Sequence, residues 1–107
     1  MELLKFIEKA EVVFGVDSNN NLTCNPAVVH VTKGTQVIFS SATEEPFAVQ
    51  SKGKSPLIRA DFRSGGGPVT ISVRDGACPG VYPFACAVVA RGHVYLDAAC
   101  PTMIVDW

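Results

Sequence analysis

Apolar runs in this chain stop after a few residues, well short of the ~20 that a membrane-spanning helix needs. A bilayer helix is excluded, and a soluble protein is expected. Charge is also scarce. Only 18% of the residues are charged, and nine basic against ten acidic side chains leave a formal net charge of -1. That balance lacks the long-range positive field by which proteins gather nucleic acid or anionic lipid, so neither partner is expected. The first residues, Met1-Glu2-Leu3-Leu4-Lys5-Phe6-Ile7-Glu8-Lys9, contain acidic side chains and no long apolar core or small-residue cleavage site. They do not read as a secretory leader, and the expected location is cytoplasmic.

Metal and redox motifs are missing as well. Cys24, Cys78, Cys86 and Cys100 lie 54, 8 and 14 residues apart, without a Cys-x-x-Cys pair, which excludes a zinc ribbon and a thioredoxin-like motif. Free thiols are expected in a reducing compartment; an exported chain would leave three full pairings open. The sequon Asn21-Leu22-Thr23 matters only in that second case. Histidine occurs twice, as His30 and His93.

What is present is a globular composition, 48% hydrophobic over 107 residues, enough for one domain with a single two-layer core. The alternation of side chains predicts short strands. Val12, Phe14 and Val16 alternate between Glu11 and Asp17, and Ser18-Asn19-Asn20-Asn21 then reverses the chain. Leu22–Cys24 follows, and Asn25-Pro26 breaks the ladder before Ala27–Val31. Gln36–Ser40, Phe47–Gln50 and Val69–Val73 continue the series, separated by Lys33-Gly34, Glu44-Glu45-Pro46 and a long loop. That loop, 51–67, shows no regular pattern; Leu57, Ile58 and Phe62 are expected to tack it to the body.

The chain is organised around Gly80–Ala90. Tyr82, Phe84, Cys86 and Val88 fall on one face and Ala85, Ala87 and Val89 on the other, so both faces are apolar. Arg91-Gly92-His93 turns this strand back into Val94–Asp97, and Thr102–Trp107 closes the sheet. The expectation is an all-β, Greek-key β-sandwich of seven or eight strands. Residues 1–10 form an N-terminal lead-in, either a short helix or an irregular strand, and 11–107 form the domain.

The run Val29-His30-Val31-Thr32-Lys33-Gly34-Thr35-Gln36-Val37-Ile38-Phe39, then Glu45-Pro46-Phe47-Ala48-Val49, then Gly80-Val81-Tyr82-Pro83-Phe84-Ala85-Cys86 resembles the cupredoxin family in order and spacing. The resemblance implies a cupredoxin-like sandwich and places the family's copper thiolate at Cys86. It also places the first family histidine at Phe47, which has no donor atom, and the second just after Cys86, where Ala87-Val88-Val89-Ala90 stands. A blue-copper site uses two imidazoles, a thiolate and a weak axial sulfur. The chain therefore resembles bacterial cupredoxin-like domains that keep the sandwich without metal.

His30 sits between two inward valines and should face solvent, His93 belongs to a turn, and Met103 alternates with Val105 as core filler. The expected site inventory is therefore empty, with no cofactor and no metal. The expected function is a non-catalytic, metal-free module for protein interaction or structural assembly. The alternative is a copper-binding carrier or electron-transfer protein using Cys86 with His93 or His30 and Met103.

Catalytic patterns are not evident. Gly65-Gly66-Gly67 is followed by no Gly-Lys-Ser/Thr and no helix, and no nucleophile elbow surrounds a serine. The flat apolar face of Ala85, Ala87 and Val89 implies a further covering layer, either residues 2–9 or a second subunit, so a protein partner or self-association is expected.

Overall fold

The structure, a computed structural model, describes residues 9–97 and 100–106. The lead-in and its proposed helix lie outside the described residues as far as position 8, while Lys9 and Ala10 already belong to the first strand. The described residues form ten strands and no helix. They are β1 Lys9–Val16, β2 Leu22–Asn25, β3 Val28–Val31, β4 Gln36–Ser41, β5 Phe47–Ser51, β6 Asp61–Ser64, β7 Val69–Ser72, β8 Gly80–Ala90, β9 His93–Asp97 and β10 Thr102–Val105.

Two sheets face each other. One has the order β2-β1-β4-β7, with β1 parallel to β4. The other has the order β3-β10-β8-β5-β6, with β9 added to β8 and β10 parallel to β3. The period of two sends Val12, Phe14, Val37 and Phe39 inward from the first sheet, and Val29, Val31, Val49, Phe84, Val88, Met103 and Val105 inward from the second. These side chains are all buried, and three ring contacts tie them together: Phe14 with Phe39 at 6.2 Å, Phe14 with Phe47 at 5.3 Å, and Phe39 with Phe62 at 4.8 Å. Aromatic rings at such separations add packing energy beyond their buried area.

The strand count exceeds the expected seven or eight for two reasons. Asp61–Ser64, expected to be loop, is a strand paired with β5, and the Asn25-Pro26 break separates β2 from β3 onto different sheets. Only Phe62 of β6 is apolar and inward, so four residues carried too little alternation to be read. Leu57 and Phe62 do tack the loop to the core, at 2% and 4% exposure, but Ile58 is 62% exposed and does not.

The turn after β8 is shorter than expected. Arg91 and Gly92 alone make it, with φ of 52° and 77°, and His93 starts β9. Two left-handed residues give the turn whose twist suits a hairpin.

Strand β8 is the spine of the larger sheet. It pairs with β5 along one side, and along the other with β9 and then β10. Asp97 lies opposite Cys86 and Thr102 opposite Pro83, so residues 98–101 stand against only Phe84 and Ala85. Phe84 N–H reaches the Pro101 carbonyl at 3.0 Å, which pins the end of this segment to β8.

A sulfur cluster on the central strand

Cys86 occupies the middle of β8 on its inner face, flanked by Phe84 and Val88 and opposite Val49 of β5. It is 5% exposed. Burial, with the Asp97 carboxylate as a second cause, pushes its thiol from an ordinary 9.0 up to about 12. A thiol so poised is protonated at neutral pH and is a poor nucleophile by itself.

Two further sulfurs reach the same place. Cys24 lies on β2, opposite Phe14 of β1, and its alternation with Thr23 and Asn25 turns it toward the facing sheet. Its Sγ is 4.0 Å from that of Cys86. Cys100, two residues before β10, is buried at 7% exposure. The three sulfurs lie within 4.8 Å of one another, and among the described residues no further histidine, cysteine or carboxylate joins the group. Cys24 and Cys100 are bonded as a disulfide, with Cα atoms 6.3 Å apart. Cys78 and Cys86 are free, the first exposed and the second buried. The expectation of four free thiols is corrected in this respect: the fold folds the edge of one sheet onto a loop of the other, a proximity that 76 residues of separation conceal.

The other donors named from the sequence do not converge on Cys86. Met103 is fully buried on β10 opposite Tyr82, and His93 is exposed on β9 opposite Ala90. Each is four positions along β8 from Cys86, roughly 13 Å at a strand's rise per residue. His30 is exposed on β3, with Nδ1 3.3 Å from the Asp106 carboxylate. Phe47, where the resemblance places an imidazole, is 3% exposed and packs on Phe14. The histidine–methionine part of the copper alternative is therefore corrected to a different set of partners for Cys86. Sequence reasoning missed Cys24 and Cys100 as those partners. The usable signals were the inward parity of Cys24 with Leu22 and the interruption of the closing strand beside Cys86.

Three cysteine sulfurs suit a soft metal, since thiolates select Cu(I) over hard cations. Sulfurs sharing one ion at roughly 2.3 Å can be no more than about 4.6 Å apart; the 4.0 Å between Cys24 and Cys86 meets that limit, and the full 4.8 Å spread of the three sulfurs lies just outside it, so the group must tighten by a few tenths of an ångström around an ion. With the Cys24–Cys100 bond opened, the donor set would offer three sulfurs, the ligand type that Cu(I) prefers.

No protein-family model matches the sequence, and no curated protein does. Solved structures do resemble it. A pseudoazurin from Sinorhizobium meliltoi superposes with a TM-score of 0.57 at 18% identity, covering 94% of this chain and 76% of the other. A purple cupredoxin from Nitrosopumilus maritimus gives 0.54 at 15% identity, covering 91% of this chain and 99% of the other. The expected metal-free interaction module is overturned by these findings together: a cluster of three sulfur donors gathers at Cys86 of the central strand, in an architecture shared with cupredoxins. Reading each strand alone counted Cys86 as a single ligand, because the other two come from a facing sheet and a loop. Among architectures, this chain is a cupredoxin-like β-sandwich.

Proposed function

We propose that this protein binds copper as Cu(I) through Cys86, Cys24 and Cys100, without the two imidazoles of a blue-copper site, and serves as a copper carrier. The observation that carries this reading is the convergence of three sulfurs within 4.8 Å on the strand where the family resemblance places the copper thiolate. Bound there, copper would supply a thiolate-held d¹⁰ centre that favours the reduced ion. Cys86 would anchor it from the rigid strand, Cys24 from the edge of the facing sheet, and Cys100 from the loop. Phe84 and Val88, which flank Cys86 along β8 in the buried core, limit the access of water to that sulfur. Binding rather than catalysis is the role, and a reducing cytoplasm is the compartment that keeps all three thiols available.

Electron transfer is the second reading, favoured by the burial of Cys86 at the centre of β8. It requires that the site also hold Cu(II).

Competition with a chromophoric Cu(I) chelator tests the first reading. Fully reduced protein, with Cys78→Ser to remove the exposed thiol, should take up one equivalent of Cu(I), and Cys86→Ser should weaken that binding by about 100-fold or more. His30→Ala and His93→Ala should leave it unchanged. Failure of the reduced protein to compete would overturn the proposal. Intense visible charge-transfer absorption with Cu(II), lost in Cys86→Ser, would instead select electron transfer.

A further inference from the structure

We infer that the Cys24–Cys100 pair is a redox gate on the copper site, so that a low-molecular-weight disulfide closes the pair and drives Cu(I) out. This rests on the reading that the three thiols hold Cu(I). The bonded sulfurs are themselves two of the three donors, so the disulfide and the three-thiolate set exclude each other. Cys86 stays beside the pair in the closed state, with its Sγ 4.0 Å from that of Cys24. One donor cannot hold Cu(I) as three do.

The surroundings select which two sulfurs close. Cys24 is only partly buried, on an edge strand of its sheet, and is the sulfur that a small oxidant can reach. Cys100 belongs to no strand, whereas Cys86 is fixed within the longest strand and paired on both sides. Cys100 is thus the sulfur that no strand ladder holds. The Cys24 thiolate attacks one sulfur of a small disulfide RS–SR, forming a Cys24–SR bond and expelling RS⁻. The Cys100 thiolate then attacks Cys24 Sγ, forming the Cys24–Cys100 bond and expelling the second RS⁻. Two electrons pass from the cysteine pair to the small disulfide, which ends as two thiolates, and Cys86 takes a proton from water.

The experiment uses Cys78→Ser protein charged with one equivalent of Cu(I) under argon, with a chromophoric Cu(I) chelator present and oxidised glutathione as the probe. Copper should appear on the chelator in step with the loss of two thiols, and peptide mapping should find Cys24 joined to Cys100. Protein with that disulfide already closed should bind Cu(I) at least about 100-fold more weakly than reduced protein, a loss larger than an outer-shell change produces. Equal affinity in the two states would overturn the gate while leaving copper binding by the reduced protein intact. Absence of binding in the reduced protein would sink the underlying reading instead. A bond mapped to Cys24 and Cys86 would also overturn the gate as assigned, whereas Cys86→Ser protein that still closes Cys24–Cys100 would support it.

Discussion

The Cys86 thiol imposes a pH dependence on folding. Burial raises it from 9.0 to about 12, whereas in the unfolded chain it returns to the ordinary range. The native state therefore holds its proton more tightly, so stability from this group is complete below about pH 9 and falls as pH climbs toward 12. The slope approaches 1.4 kcal/mol per pH unit, so the native chain should lose about 2 kcal/mol between pH 8 and roughly 10.5. Urea titrations of Cys78→Ser protein at the two pH values should show this loss, and the same comparison with Cys86→Ala added should show it removed. A slope indifferent to Cys86 would contradict the burial of this side chain. At this scale the sequence was informative about direction and uninformative about company. The inward parity of Cys86, Met103 and Val105 was legible from alternation along single strands, because parity is a local property. The meeting of Cys86 with Cys24 and Cys100 was not, because it depends on how two sheets are stacked and on a loop whose residues have no period.

Among the elements, the β8–β9 hairpin and the disulfide admit direct tests. Gly92 has φ of +77° and open space where a side chain would go, so Gly92→Ala should cost about 1 kcal/mol through backbone conformation alone. Thermal unfolding of the two proteins checks this without the complication of a clash. The Cys24–Cys100 bond joins the two sheets across 76 residues, and closing so long a loop should contribute about 4 kcal/mol. Denaturant midpoints with and without reductant measure it, and Cu(I) added to the reduced protein should recover part of the loss. Most strands announced themselves through alternating Val, Ile and Phe. The exception, β6, places Phe62 between Asp61 and Arg63, both exposed, and one apolar residue on a short edge strand cannot establish a period.

For the whole molecule, the pairings that complete each sheet join distant parts of the chain. Among the described residues β3 pairs only with β10, and β1 lies parallel to β4 rather than forming a hairpin with it. Non-local pairing of this kind places folding in the millisecond-to-second range. Stopped-flow refolding of the disulfide-free protein should give rates of that order, and a microsecond phase accounting for the full amplitude would contradict the topology. The sandwich itself was legible from strand spacing and turn residues. Its larger sheet was less so, because the half-buried face bearing Ala85, Ala87 and Val89 continues onto Val94 and Leu96, exposed at 65% and 76%.

The lateness of β10 bears on how this chain is made. As the ribosome delivers the strands in turn, Cys24 emerges with Cys78 and Cys86 ahead of its partner Cys100, and the edge of β3 that pairs with β10 waits for as long. Under oxidising conditions Cys24 therefore meets Cys78 and Cys86 before its native partner, so the native bond is reached only if early mispairings are avoided or exchanged.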